Sequence, residues 1–129
     1  MVSGQCECGK VAFQVEEVRD MVSVCHCGQC RRTSGHIWAS TYAANYEDLK
    51  YTADEGLTWF ASSDFAKRAF CKFCGSSLFY RMNDEVGVAI SAGCIDSPTD
   101  MFIGRHIFVE DKGDYYTIED GAPQFDKSA

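Results

Sequence analysis

The chain has 129 residues, one ordinary domain, with 46% hydrophobic and 13% aromatic residues, enough to bury a real core. Lysine and arginine number 12 against 19 aspartate and glutamate, a formal net charge of −7. That balance excludes nucleic acid as a main partner, because phosphate binding needs basic surface, and it disfavours an anionic membrane. No apolar stretch approaches the length of a membrane span. The opening Met1-Val2-Ser3-Gly4-Gln5-Cys6 shows neither the basic region nor the apolar run of a secretory signal. The expected address is therefore cytoplasmic. Eight cysteines are a strong excess; in a reduced compartment they point to metal rather than to disulfides.

Taken in order, Cys6-Glu7-Cys8-Gly9 comes first. Cysteines this close rarely pair with each other, given the geometry a disulfide needs, but both can ligate one ion if the chain curls, and Gly9 offers the permissive backbone for that curl. Lys10 to Glu16 alternates, with Val11, Phe13 and Val15 on one face, and predicts a half-buried strand. Val22 to Cys25 predicts a second strand, after a turn at Arg19-Asp20. It enters Cys25-His26-Cys27-Gly28-Gln29-Cys30-Arg31-Arg32, where a tight turn at Gly28 is expected to aim three sulfurs at one point. One short helical turn fits between Gly28 and Gly35. His36 to Tyr42 predicts a third strand, Tyr46 to Tyr51 an acidic turn with apolar Leu49, and Leu57 to Ala61 a strand after the turn at Asp54-Glu55-Gly56. Lys67 to Phe70 leads into Cys71-Lys72-Phe73-Cys74-Gly75, the pattern of a zinc knuckle. Leu78 to Arg81 leaves it as a strand, Glu85 to Ser91 alternates cleanly, and Gly93 to Pro98 turns. Arg105 to Glu110 predicts a last strand with Ile107 and Val109 on one face, Tyr115 to Ile118 an edge strand, and the tail from Glu119 is expected to be irregular. The expected fold is mainly β, a single domain over residues 1–129 built of small twisted sheets clipped by zinc knuckles.

Cys6, Cys8, Cys71 and Cys74 lie on two glycine-terminated turns, which together give a closed four-thiolate zinc site. That leaves Cys25, Cys27 and Cys30 as a local set of three, and Cys94 over. Pairing Cys6 and Cys8 with Cys27 and Cys30 is an alternative. So is a second site closed by Cys94 or a histidine, and Cys94 alone also reads as a small apolar core group. His26 points away from its neighbouring cysteines if the segment is extended. Zinc on three thiolates carries a net −1 and is a poor activator of water, but it is a good seat for a further thiol, which loses its proton there. A small thiol presented to a carbonyl is the natural substrate. Arg31 and Arg32 are candidates to hold its carboxylate.

Gly4-Gln5-Cys6-Glu7-Cys8-Gly9-Lys10-Val11, Cys25 to Arg32 and Phe70 to Gly75 resemble the glutathione-dependent formaldehyde-activating (GFA) family, also called the CENP-V/GFA domain. The ending His106-Ile107-Phe108-Val109 with Lys112 and Gly121-Ala122-Pro123-Gln124-Phe125 is similar to that family's. The resemblance implies a β-tent fold and two zinc ions. One is structural, on the positions of Cys6, Cys8, Cys71 and Cys74; one is catalytic, on those of Cys25, Cys27 and Cys30. It implies a carbon–sulfur lyase that joins formaldehyde to glutathione. A zinc-stabilised binding module with both sites structural is the competing expectation, and a redox or metal-storage use of the thiols a third. Oligomeric state is not legible.

Overall fold

The computed structural model describes residues 1–129. The chain runs β1 (Val2–Gln5), β2 (Ala12–Val15), β3 (Met21–Cys25), α1 (Gly28–Ser34), β4 (Trp38–Ala43), β5 (Lys50–Ala53), β6 (Leu57–Ala61), β7 (Ala66–Cys71), β8 (Ser77–Met82), β9 (Val88–Ser91) and β10 (Phe102–Ile107). Single 3-10 turns lie at Tyr46–Asp48, Ala92–Cys94 and Val109–Asp111. A small sheet has the order β1-β2-β5, and a seven-stranded sheet the order β10-β3-β4-β9-β8-β7-β6. All neighbours pair antiparallel except β10, which lies parallel to β3. The mainly β fold read from the sequence is the fold observed. No helix is long and apolar enough to cross a membrane.

Alternation along the strands sorts the side chains of the larger sheet into two populations. Ala43, Ala69, Cys71, Phe79, Val88 and Ile90 turn to the face that packs on the small sheet, where Phe13 and Val15 complete the main core. Phe79 stands at the junction. Its ring meets Phe13 edge-on at 5.3 Å and stacks on Trp59 at 5.9 Å. The opposite face carries a smaller cluster of Cys25, Cys30 and Trp38. Register aligns it: Ile107, Cys25 and Trp38 form one cross-strand row, and Arg105, Ser23 and Ser40 the next. A third row runs Tyr42, Ala89, Tyr80 and Arg68.

Two expectations are corrected. The strand expected over Arg105–Glu110 begins earlier, at Phe102, and stops at Ile107. Phe108 takes a left-handed conformation (φ 55°), which ends the extended run, so Val109 falls in a 3-10 turn instead of on a strand face. Tyr115–Ile118 forms no edge strand. The tail takes that place, with a parallel bridge between His106 and Gln124, and the Phe125 and Phe108 amides donating to the carbonyls of His106 (2.9 Å) and Lys127 (3.0 Å). The tail from Glu119 is irregular, as expected, and is tied to the sheet edge by these backbone hydrogen bonds.

Candidate functional site

The first thiol group is built by two turns. Cys6 follows β1, and its sulfur accepts from the Val11 amide at 3.3 Å. Gly9 then turns in the left-handed region (φ 83°). Cys71 ends β7, the Gly75 amide donates to its carbonyl at 2.7 Å, and Gly75 is again left-handed (φ 80°). These are the glycine roles expected from the sequence. The sulfurs of Cys6, Cys8, Cys71 and Cys74 all lie within 4.8 Å of one another. Cys8 Sγ is 3.7 Å from both Cys6 Sγ and Cys71 Sγ. That is far beyond a disulfide bond, about 2.05 Å. It matches the edge of a tetrahedron with zinc–sulfur distances of about 2.3 Å, which is about 3.8 Å. The donor set and its spacing fit zinc. The Ser76 hydroxyl, 3.2 Å from Cys74 Sγ, pulls that thiol down to about 5.

The second group, Cys25, Cys27 and Cys30, also falls within 4.8 Å. The device that converges it differs from the expected kink at Gly28. Cys27 is the N-cap of α1, extended at φ −66° and ψ 159°, and its sulfur accepts from the Cys30 amide at 3.3 Å. One helical turn then carries Cys30 back over Cys25, and Gly35 (φ 89°) stops the helix as expected. Contacts from Cys25 and Cys30 hold the Cys27 thiol down, to about 2, and the contacts with Cys27 and Cys30 push Cys25 up. The contacts with Cys25 and Arg68 pull Cys30 down, but Cys27 and burial together outweigh them, so Cys30 is raised as well. Three thiols so crowded do not all ionise without a cation among them, and three soft donors facing one point suit zinc.

No histidine and no Cys94 belongs to either group. Cys94 packs against the main core, with its sulfur 3.6 Å from the Ser77 carbonyl. The alternative pairing of Cys6 and Cys8 with Cys27 and Cys30 is not the one formed.

His26 does point away from the sulfurs. It is buried behind their loop, its Nδ1 2.7 Å from Tyr116 Oη and its Nε2 2.8 Å from His106 Nδ1. His106 Nε2 in turn lies 2.8 Å from Asp120 Oδ2. Burial and the neighbouring His106 hold His26 low, at about 4. Tyr116, His26, His106 and Asp120 thus form one continuous hydrogen-bonded chain. The chain fastens the cysteine loop to the C-terminal segment.

Cys25, Cys27 and Cys30 open onto a cavity of about 450 Å³ on the free face of the larger sheet. Trp38, Tyr80 and Phe108 give it apolar walls, and Arg19, Arg68 and Arg105 give it positive charge. Arg105 Nε donates to Ser23 Oγ at 3.1 Å, and the Arg19 guanidinium lies 5.4 Å from the Tyr42 ring. Arg31 and Arg32 do not line it. Arg31 donates to the backbone carbonyls of His26 and Asp111, both at 3.2 Å, and Arg32 is exposed. Being on α1 beside Cys30 in sequence put them at the sulfurs only in one dimension. The three arginines of the cavity come from distant segments. The signal that locates Arg68 is parity: three residues before Cys71, it must face the other side of the same strand.

A β scaffold clipped by one four-thiol group, with a second three-thiol group opening onto a cavity, defines a small cysteine-centred protein whose two thiol groups could each hold a metal ion. The chain belongs to the glutathione-dependent formaldehyde-activating enzyme family, whose model matches residues 1–111. It is 26% identical over 126 residues to an uncharacterized lyase of Schizosaccharomyces pombe, covering 95% of this chain and 88% of that protein. A crystal structure of a Rhodobacter sphaeroides protein is similar at a TM-score of 0.62 and 25% identity, over 75% of this chain and 90% of that one.

Proposed function

We propose that the protein is a carbon–sulfur lyase or synthase that joins a small carboxylate-bearing thiol, such as glutathione, to an aldehyde such as formaldehyde, and reverses that step. The observation that carries this reading is the opening of three sulfurs onto a cationic, aromatic-walled cavity in a protein of net charge −7. Cys25, Cys27 and Cys30 would hold one zinc and Cys6, Cys8, Cys71 and Cys74 another. Bound zinc lowers the pKa of a thiol beside it. The chain's own residues do the rest. Arg19 and Arg105 take the carboxylates, in the place expected of Arg31 and Arg32. Trp38 and Tyr80 exclude water from the sulfurs. In the reaction a sulfur–carbon bond forms as the carbonyl π bond breaks, and the thiol's proton ends on the former carbonyl oxygen.

Exchange NMR with glutathione and ¹³C-formaldehyde tests the activity. The expected result is S-hydroxymethyl adduct formation faster than without protein. No acceleration with any carboxylate-bearing thiol, together with an unchanged visible spectrum of cobalt-substituted protein on adding those thiols, would leave a non-enzymatic binding module instead. Arg19→Gln and Arg105→Gln are each expected to raise KM for glutathione about 10-fold, the worth of one charge-assisted hydrogen bond. KM for 2-mercaptoethanol, which has no carboxylate, should not move, and Arg31→Gln should alter neither.

A further inference from the structure

We propose that Arg68 is the fixed charge partner of the Cys25–Cys27–Cys30 sulfur set, a positioning residue on which metal retention by that set depends. This rests on the reading of the set as a zinc site.

Arg68 is only 7% exposed. Its Nη2 donates to Cys30 Sγ at 3.4 Å. Nε and Nη2 both donate to Gln29 Oε1, at 3.2 and 3.1 Å, and Nη1 reaches Thr33 Oγ1 at 3.5 Å. The guanidinium carbon lies 4.7 Å from the Tyr80 ring centroid and 5.5 Å from that of Trp38. Arg68 makes no salt bridge; the two in the protein join His106 to Asp120 and Lys127 to Glu110. An amide oxygen, a hydroxyl and two rings are all neutral or dipolar. A buried guanidinium needs an anion to offset the loss of water, and the sulfur set is the anion in contact with it.

The charges then close. Three thiolates and one divalent ion sum to −1, and Arg68 brings the buried assembly to zero. The four-thiolate group has the larger charge of −2 when it holds such an ion, yet no arginine is hydrogen-bonded to its sulfurs. It solves the problem with water, since Cys8 is exposed and Cys74 half-exposed. The two groups thus keep their charge by different means, and β7 contributes to both groups, with Arg68 on one face and Cys71 on the other. Gln29, one residue before Cys30, holds the fork by its amide oxygen. Its own Nε2 is anchored on the Ser62 carbonyl at 2.9 Å. Arg68 is thereby fixed in direction as well as in charge.

The test uses the full chain loaded with cobalt(II), with metal content measured under chelator competition and the sulfur-to-cobalt charge-transfer band followed in the same samples. Wild type is expected to hold two cobalt ions. Arg68→Met, similar in length but uncharged, should bind one of the two about 10–100-fold more weakly, as when an outer partner of a metal ligand is lost. Its band should shift to lower energy, since the sulfur electrons are no longer held by a cation. Arg68→Lys, which keeps the charge and loses the fork, should fall between, and it decides the matter if Arg68→Met does not fold. Two ions held with wild-type affinity and an unmoved band in the variant would overturn the proposal and leave the zinc reading standing. Equal loss of both ions would also overturn it, making Arg68 a support of the fold. Wild type that takes up one cobalt alone overturns the zinc reading of the set, and this proposal with it.

Discussion

Cys71→Ser is expected to leave the chain without a cooperative thermal transition, while Cys27→Ser melts within a few degrees of wild type. The two substitutions are chemically the same and nearly isosteric, so the contrast measures what each sulfur set holds. Cys71 is fully buried in the main core beside Cys6. Cys6 follows β1 of the small sheet and Cys71 ends β7 of the large one, so the four-thiol group ties one sheet to the other. Structural zinc contributes on the order of 10 kcal/mol to small zinc modules, against a total of about 5–15 kcal/mol for a whole domain. On those magnitudes, losing such a clip would remove most of what keeps a domain of this size folded. Cys27 sits half-exposed at the cavity, outside the main core. Its variant should lose about one equivalent of zinc and the thiol-dependent activity, and keep the fold. Differential scanning calorimetry with metal analysis on both variants decides. Equal destabilisation would mean that both sites are structural.

Phe79→Ala is expected to cost about 3–5 kcal/mol, the range for deleting a buried aromatic ring. Phe79 is 1% exposed and touches rings from both sheets, Phe13 and Tyr51 from the small one and Trp59 from the large one. The cavity left by truncation would lie between two paired sheets, neither of which can collapse freely. Tyr80→Phe, the next residue but on the opposite face, should change stability by under about 1 kcal/mol. Urea unfolding of both variants, with the slope unchanged, measures the difference. A cost for Phe79→Ala as small as that for Tyr80→Phe would mean that the sheets do not meet at this ring.

Local chemistry was legible in the sequence and long-range register was not. Cys71-Lys72-Phe73-Cys74-Gly75 and Cys6-Glu7-Cys8-Gly9 announce their turns, because a left-handed glycine after paired sulfurs is a local requirement. The division of thiols into four and three followed from it. Strands β2 and β9 show enough alternation to be read, and β6 is marked by its apolar residues after the turn at Asp54-Glu55-Gly56. β1 and β5 do not: Val2-Ser3-Gly4-Gln5 and Lys50-Tyr51-Thr52-Ala53 are short and mostly polar, and pairing with β2 decides their state. The cavity was invisible for the same reason. Arg105, Ser23 and Ser40 form a row only through a parallel pairing of β10 with β3 and an antiparallel pairing of β3 with β4. The capping role of Cys27 was hidden too, since thiols are not the usual helix caps and Gly28 offered the more obvious turn.

The alternation along the larger sheet makes this scaffold easy to retune. Ser23, Ser40, Tyr42, Ala89 and Arg105 face the cavity, while the residues between them face away from it. Substitutions at these positions reshape the cavity wall and leave the packing between the sheets untouched. An inserted or deleted residue within β3 or β4 does the opposite: it turns wall residues into core residues and core into wall at a stroke. Divergence of substrate among proteins of this architecture should therefore proceed by exchange at alternate strand positions, and length changes should gather in the loops.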